Sequence, residues 1–317
     1  MANIKNKQHD FFIDSKINYQ TDNIITSIDI GSDKIICFIA KVDRILDKKK
    51  PRVIGFGCSQ SKGLKNAGIT DITDLEKSIR KAVNQAENSA GVEVKNVSVN
   101  ISGNYIKTER LFGEIIIGNS IINHNHVAQV ISIAKKKFNS KNKKVLHVIP
   151  SHFTADGIKN IANPNGMSAN KLGVKLLFIY GMPNHLDNLE MIVKNCFLNV
   201  INFTAKPYVS ALSTLTKEEQ HSGAVCLDIG SGSTSISIFI DGSMVFAKSI
   251  NIGGWYISSD ISKILSTPFE QAEALKTLYG SALRGPNDGE YIYQTPLMGS
   301  DSDERLSFSR SKLISII

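Results

Sequence analysis

Four residues occur twice in this 317-residue chain, as Asp29-Ile30-Gly31-Ser32 and as Asp228-Ile229-Gly230-Ser231. Each copy lies between two apolar runs: Ile24-Ile25 and Ile35-Ile36-Cys37-Phe38-Ile39 around the first, Ala224-Val225-Cys226-Leu227 and Ile236 to Ile240 around the second. The second run alternates in strand fashion, and Asp241-Gly242 signals a further tight hairpin into Met244-Val245-Phe246. Each copy is therefore a turn between two strands, not between a strand and a helix. That excludes a Rossmann dinucleotide turn, whose third glycine is also missing, and a Walker loop, because no Gly-Lys-Ser/Thr closes it. The same unit heading each half of the chain predicts a duplicated α/β fold whose halves close on one phosphate chain from opposite sides.

The turn's chemistry suits an anion. Gly230 and Gly232 lack a Cβ, so their amides can approach a phosphate closely and the chain can adopt positive φ there. Ser231, Ser233 and Thr234 add hydroxyl donors. Asp228 is wrong beside a bare phosphate but suits a hydrated Mg²⁺, which binds through one or two carboxylates plus phosphate oxygens. A plain Gly/Ser hairpin is the alternative for the second copy taken alone, and the first copy weighs against it. The pair resembles the two phosphate motifs of the actin, Hsp-type chaperone and sugar kinase superfamily.

The length predicts two domains, and 42% hydrophobic content is ample for real cores. Lys and Arg exceed Asp and Glu by eight, but without an aromatic-plus-basic stripe. The excess reads as solvated surface and predicts no nucleic-acid partner; an acidic partner or anionic lipid is the alternative. Cys37, Cys58, Cys196 and Cys226 are scattered in apolar runs with no Cys-x-x-Cys pair, as small core residues of a reducing cytosol are. No run reaches the length of a membrane span, and the polar start is no signal peptide, so a cytoplasmic protein is expected.

In chain order, 1–23 reads as a polar leader and Lys48-Lys49-Lys50-Pro51 as an exposed turn, followed by a strand at 53–57 and a loop at 64–69. A helix follows, capped by Asp74 and ended by Gly91, with Leu75, Ile79, Ala82, Val83 and Ala86 inward. Strands are predicted at 96–101 and 112–117, then a helix at 127–138 with Val127, Val130, Ile131 and Ala134 inward. Lysines 135–137, 141, 143 and 144 complement that helix's C-terminus, with a docking patch as the other reading. His147 and His152 lack a cysteine or carboxylate at ligand spacing, which favours a turn or core role over a metal.

Leu146-His147-Val148-Ile149-Pro150, Asp156-Gly157, and Asn163-Pro164-Asn165-Gly166-Met167-Ser168-Ala169 with Leu172 then resemble subdomain 1C, the insert that distinguishes the FtsA family. FtsA is the bacterial actin homologue of the division ring. Ala169 and Lys171 stand where Gly and Arg are expected. The resemblance continues through a strand at 174–179, a helix opened by Pro183, a strand at 200–203, a helix from Pro207 and a polar linker at 217–220. Asn251-Ile252-Gly253-Gly254 matches the family's Gly-Gly turn into a helix whose N-terminal amides favour anions. Trp255 beside it reads as a packing residue. The stretch 272–280 resembles the nucleoside-contacting helix, with Glu273 and Lys276 sharing one face against ribose and adenine; read alone they are an exposed ion pair.

The resemblance implies an α/β actin-like (ribonuclease H-like, duplicated) fold with an FtsA-type 1C insert. The first actin-like domain takes 24–94 and 177–216, the insert 95–176, and the second domain 217–317. It implies ATP with Mg, held by Asp29, Gly31, Ser32, Lys34, Asp228, Gly230, Ser231, Gly232, Ser233, Thr234, Gly253, Gly254, Glu273 and Lys276, with Asp29 and Asp228 reaching the metal through water. The function implied is a division scaffold that polymerises, binds FtsZ and other divisome proteins, and links the FtsZ ring to the cytoplasmic face of the membrane at the septum. Catalysis is at most a weak ATPase. A PilM-type pilus-assembly protein, a sugar or acid kinase, and a non-functional remnant are the alternatives. Departures from the family pattern fall at Lys206, where an acidic residue usually precedes the proline, and at Ser235, acidic in many superfamily members. Ser231 and Ser233 also replace glycine and threonine, which leaves phosphate contact intact but argues against fast hydrolysis. The family would continue past Ile317 to a Gly-rich adenosine loop, closing elements and a membrane helix, so the second half is expected to be incomplete. The apolar end at 311–317 is then too short for a stable surface helix.

Overall fold

The computed structural model describes residues 23–45, 48–299 and 304–317, with side chains 43–50 excepted. The leader expected at 1–23 lies outside the described residues except for Asn23. The first copy of the repeat joins β1 (Ile24–Ile30) to β2 (Lys34–Ile45), antiparallel with Asp29 opposite Ile36. Next comes β3 (Lys48–Gln60), antiparallel to β2. Residues 48–51 therefore begin a strand instead of forming a turn, with Pro51 opposite Val42. The loop at 64–69 holds a small hairpin, β4 (Leu64–Lys65) with β5 (Gly68–Ile69).

The next helix, α1 (Ile72–Ala90), buries the five apolar residues its periodicity marked. Its cap is Asp71, not Asp74: the Asp71 carboxylate accepts from the Asp74 amide at 2.9 Å, and Asp74 sits one turn in, where an acid suits the helix dipole. Gly91 ends it at φ 67°. Strand β6 (Asn96–Ile101) runs parallel to β1 and therefore belongs to this sheet, so the inserted sheet starts after Ile101.

The insert has β7 (Ile106–Ile121), α2 (His124–Lys136), β8 (Lys144–Ala155), β9 (Ile158–Ile161) and β10 (Ser168–Gly181), in sheet order β7-β10-β8-β9. Helix α2 starts three residues earlier than its apolar period, because the Asn123 side chain accepts from the amides of Asn125 and His126. Strand β10 is covered on both faces. Leu172, Val174, Leu176 and Phe178 pack in the core under α2, while Leu177 and Ile179 enter the core of the first sheet. Period-two alternation thus ties the insert to the body of the protein.

Pro183 opens α3 (Pro183–Asn195), and β11 (Asn199–Ala205) completes the first sheet in the order β11-β6-β1-β2-β3. Helix α4 (Lys206–Thr214) follows directly. The predicted linker is helical, α5 (Lys217–Ser222), because Thr216 and Glu219 form a reciprocal capping box.

The second copy of the repeat joins β12 (Ala224–Ile229) to β13 (Thr234–Ile240), and β13 turns through Asp241 and Gly242, at φ 50° and 79°, into β14 (Ser243–Ile250). The faces of this sheet are unusual. Ser235, Ser237 and Phe239 are buried, with Ser235 and Ser249 hydroxyls 2.8 Å apart, while Val225, Leu227 and Ile229 stay 58%, 58% and 70% exposed. Met244 and Ala247 join the first core, and the Thr108 hydroxyl donates to the Ala247 carbonyl at 3.1 Å. For this reason the compact units divide at 229–232 and after Asn251, not at 217.

The second unit contains 229–232 and 252–317. Its core of Ile261, Leu265, Ala272, Leu275, Phe308 and Leu313 is built by α6 (Gly254–Ile264), α7 (Phe269–Tyr279), the hairpin β15 (Ile292–Pro296) with β16 (Arg305–Ser309), and α8 (Arg310–Ile316). The apolar end of the chain is thus core material: Ser309 caps α8, and Leu313 and Ile314 are buried. Packing supplies what a seven-residue helix lacks by itself. Trp255 stacks on Phe269 with centroids 5.6 Å apart, the packing role expected of it. Among the described residues, no helix is long and apolar enough to cross a membrane.

Candidate functional site

Three parallel strands set the first half of the site by register. Asp29 lies opposite Asn100, which lies opposite Thr204, near the carboxyl ends of β1, β6 and β11. Ligands in open α/β sheets bind outside the carboxyl ends of such strands. The Asn100 amide donates to Asp29 at 2.8 Å, and Thr204 donates to the Asn100 oxygen at 3.3 Å. In the adjoining turn the Gly31 amide donates to the Lys34 carbonyl at 3.2 Å, and Ser32 Oγ accepts from the Ala67 amide at 3.1 Å. Gly31 has no positive φ; it is needed for space, since an added Cβ would meet the Lys34 oxygen at 2.8 Å.

Asp228, at the end of β12, belongs to the same unit. Ser210 of α4 donates to its Oδ2 at 2.6 Å, and Lys206 Nζ stands 3.7 Å from its Oδ1. Ser233 and Ser102 hydroxyls meet at 2.8 Å, joining the second repeat to the end of β6. Asp29 titrates above the ordinary carboxylate range. Burial is the main cause and the Asp228 charge adds to it, against the opposing pull of Lys206, the Asn100 hydrogen bond and Lys34. Asp29 and Asp228 are therefore electrostatic neighbours, and Lys206 acts on both.

His147 supports this arrangement from below. Its Nε2 accepts from the Ala205 amide at 2.9 Å, one residue before Lys206, and burial pulls its pKa down to about 4. His152 is buried too, and burial lowers its pKa. Both are core histidines. Among the described residues no group of three or more His, Cys, Asp or Glu side chains is placed to hold a metal. The four cysteines are free, and burial pushes the Cys37 thiol up to about 12.

In the second unit the turn and α6 are locked together. The Gly254 amide donates to the Gly230 carbonyl at 3.0 Å and the Trp255 amide to the Ser231 carbonyl at 2.9 Å. A Cβ on Gly253 would collide with both carbonyls. The Gly-Gly pair therefore serves close backbone approach. Two amides expected to attract an anion are already taken by protein oxygens, which corrects the reading of α6 as an open anion site. On α7, Lys276 Nζ bonds Glu273 and Ser258, each at 2.8 Å, and the Gly254 carbonyl at 3.3 Å, and Ser258 also donates to Glu273. Burial works to raise the Glu273 pKa, but the hydrogen bonds from Lys276 and Ser258 prevail and hold it below its ordinary value. The pair is thus a half-buried bridge between α7 and α6, not an exposed surface pair.

The expected hydrated Mg²⁺ at Asp29 and Asp228 does not fit this donor set. The Lys206 ammonium, 21% exposed, already stands at the Asp228 carboxylate and acts on Asp29, where a divalent cation's shell would have to be. Sequence reasoning marked Lys206 only as a departure and missed Asn100, Ser102, Thr204 and Ser210. A polar residue near the end of each apolar parallel strand was the available signal.

Two family models match separate stretches: the cell division protein FtsA over residues 225–313 and the SHS2 domain inserted in FtsA over 103–180. The cell division protein FtsA of Rhizobium meliloti is 32% identical over 302 residues, which cover 93% of this chain and 68% of the relative. The chain belongs to the FtsA family. Agrobacterium fabrum FtsA is 30% identical over 95% of the chain and 70% of its own length. The fold is actin-like and the insert is the family's SHS2 domain, matched from two residues past β6 to near the end of β10. A solved PilM-PilN type IV pilus biogenesis complex superposes with a TM-score of 0.56 at 11% identity, over 80% of this chain and 69% of that one. That likeness is of fold alone, whereas sequence identity along nearly the whole chain selects FtsA over the pilus and kinase readings. The protein is an FtsA-type actin homologue of cell division.

Proposed function

We propose that this chain binds ATP through the polar row at the ends of β1, β6, β11 and β12, and that nucleotide governs its self-association and its engagement of FtsZ and other divisome proteins at the cytoplasmic face of the septum. The observation that carries the reading is the hydrogen-bonded row of Asp29, Asn100 and Thr204 at the strand ends, with Asp228 of the second repeat in the same unit and paired with Lys206. Ser32, Ser102 and Ser233 lie in the same unit and supply hydroxyl donors for phosphate oxygens. Catalysis is at most slow, because Lys206 cannot act as a general base while it is paired as an ammonium.

Titration of a fluorescent ATP analogue tests this. Asp228→Ala leaves Lys206 and Ser210 without their partner, and loss of a charged contact is worth roughly 1.5–3 kcal/mol, so affinity should weaken by about ten- to a hundredfold. An unchanged affinity removes Asp228 from the site. Co-sedimentation with purified FtsZ, with and without nucleotide, tests the partner. Equal, background-level pelleting in both would end that part of the reading.

A further inference from the structure

We propose that the Lys206 ammonium is the site's resident cation and stands in for Mg²⁺, so that this protein binds nucleoside triphosphate without a divalent metal. The geometry at Asp228 carries the inference: its two oxygens face the Lys206 ammonium at 3.7 Å and the Ser210 hydroxyl at 2.6 Å. Lys206 Nζ sits 3.7 Å from one oxygen of Asp228, within ion-pair range, and its charge also acts on Asp29. Lys34 supplies a second positive charge that acts on Asp29.

The position of Lys206 is built in. It is the first residue of α4, Pro207 follows it at the helix start, and the preceding Ala205 amide is held by His147. Ser210, one turn along the same helix, occupies the other oxygen of Asp228. That carboxylate therefore meets a hydroxyl at one oxygen and an ammonium at the other, both carried by α4. A strongly hydrated divalent ion would have to displace an ammonium that the backbone returns to the same place.

The inference rests on the nucleotide reading above, so the test has one arm that needs nucleotide and one that does not. In the first, a fluorescent ATP analogue is titrated into wild type, Lys206→Gln and Lys206→Arg, in EDTA and again with excess Mg²⁺. Wild type and Lys206→Arg should bind equally in both buffers, while Lys206→Gln should lose about ten- to a hundredfold in EDTA and recover with Mg²⁺. Wild-type binding that weakens tenfold or more in EDTA overturns the proposal. In the second, Mn²⁺ is titrated into nucleotide-free protein and followed by electron paramagnetic resonance. Wild type should leave Mn²⁺ free, Lys206→Gln should bind it, and adding Asp228→Asn to that variant should abolish binding. Mn²⁺ bound by wild type, or ignored by a folded Lys206→Gln protein, overturns the proposal as well. Absence of analogue binding in every buffer defeats the nucleotide reading, and the Mn²⁺ arm then decides the role of Lys206 by itself.

Discussion

The two copies of Asp-Ile-Gly-Ser are chemically the same four residues, and the fold uses them differently. The first is held by strand register: Asp29 receives its hydrogen bond from the residue beside it on the parallel neighbour, and its turn closes on itself through Gly31 and Lys34. The second is held by helices. Ser210 and Lys206 of α4 take the Asp228 carboxylate, and the carbonyls of its turn receive the first amides of α6. One copy is fixed by backbone pairing inside a five-stranded sheet, the other by side chains and helix ends around a three-stranded sheet that leaves Val225 and Leu227 exposed. A repeated motif therefore does not imply a repeated mechanical role: what the tetrapeptide meets decides how stiff it is.

The comparison can be broken at four points. The largest effect is expected under α4, on which the second copy depends. His147 is neutral in the fold with a pKa of about 4, below its ordinary 6.5. Its contribution is present above pH 6.5 and is lost as pH falls from there towards 4, because the unfolded chain takes up the proton first. That difference corresponds to about 3 kcal/mol. Urea midpoints measured across this window should fall for wild type and less steeply for His147→Gln; parallel curves would show that the histidine is not what pins α4.

Gly253→Ala should come next, at about 3 kcal/mol, the upper end for overpacking, because the obstacles are backbone carbonyls and not movable side chains. Trp255, the chain's single tryptophan, reports the second unit directly by fluorescence. An unshifted midpoint would mean that the turn and α6 are not locked.

Asn100→Ala probes the first copy. It removes the amide that serves Asp29 and the acceptor that serves Thr204, and should cost about 2 kcal/mol. Thr204→Val, which loses the 3.3 Å bond to Asn100 and a long 3.5 Å one to the Val99 carbonyl, should cost less; equal losses would argue against a register-held row.

The smallest effect is expected for Ser210→Ala, about 1 kcal/mol, since Lys206 still compensates Asp228. A double-mutant cycle with Lys206→Gln sharpens the point, because two groups on one carboxylate should couple. Strict additivity would show that they act on Asp228 independently.

Residues in sequence determined much of this protein by themselves. Period-two and period-3.6 patterns placed most strands and helices, Asp241-Gly242 and Gly91 punctuated the chain where positive φ is observed, and the two repeats with the His-x-x-Pro and Gly-Met stretches carried the fold and family. These features are local, and local backbone preference survives in any context. Asp71 as the cap of α1 and the Thr216-x-x-Glu219 capping box that starts α5 are local signals as well. Tertiary structure alone decided the rest. Leu313 near the chain's end became core once α6 and α7 were there to receive it. The amides of α6 were spent on Gly230 and Ser231, and the Lys206 ammonium came to rest beside Asp228, whose charge acts on Asp29, 199 residues away in sequence. Charge balance between distant residues depends on distances in space, and a linear pattern does not contain them.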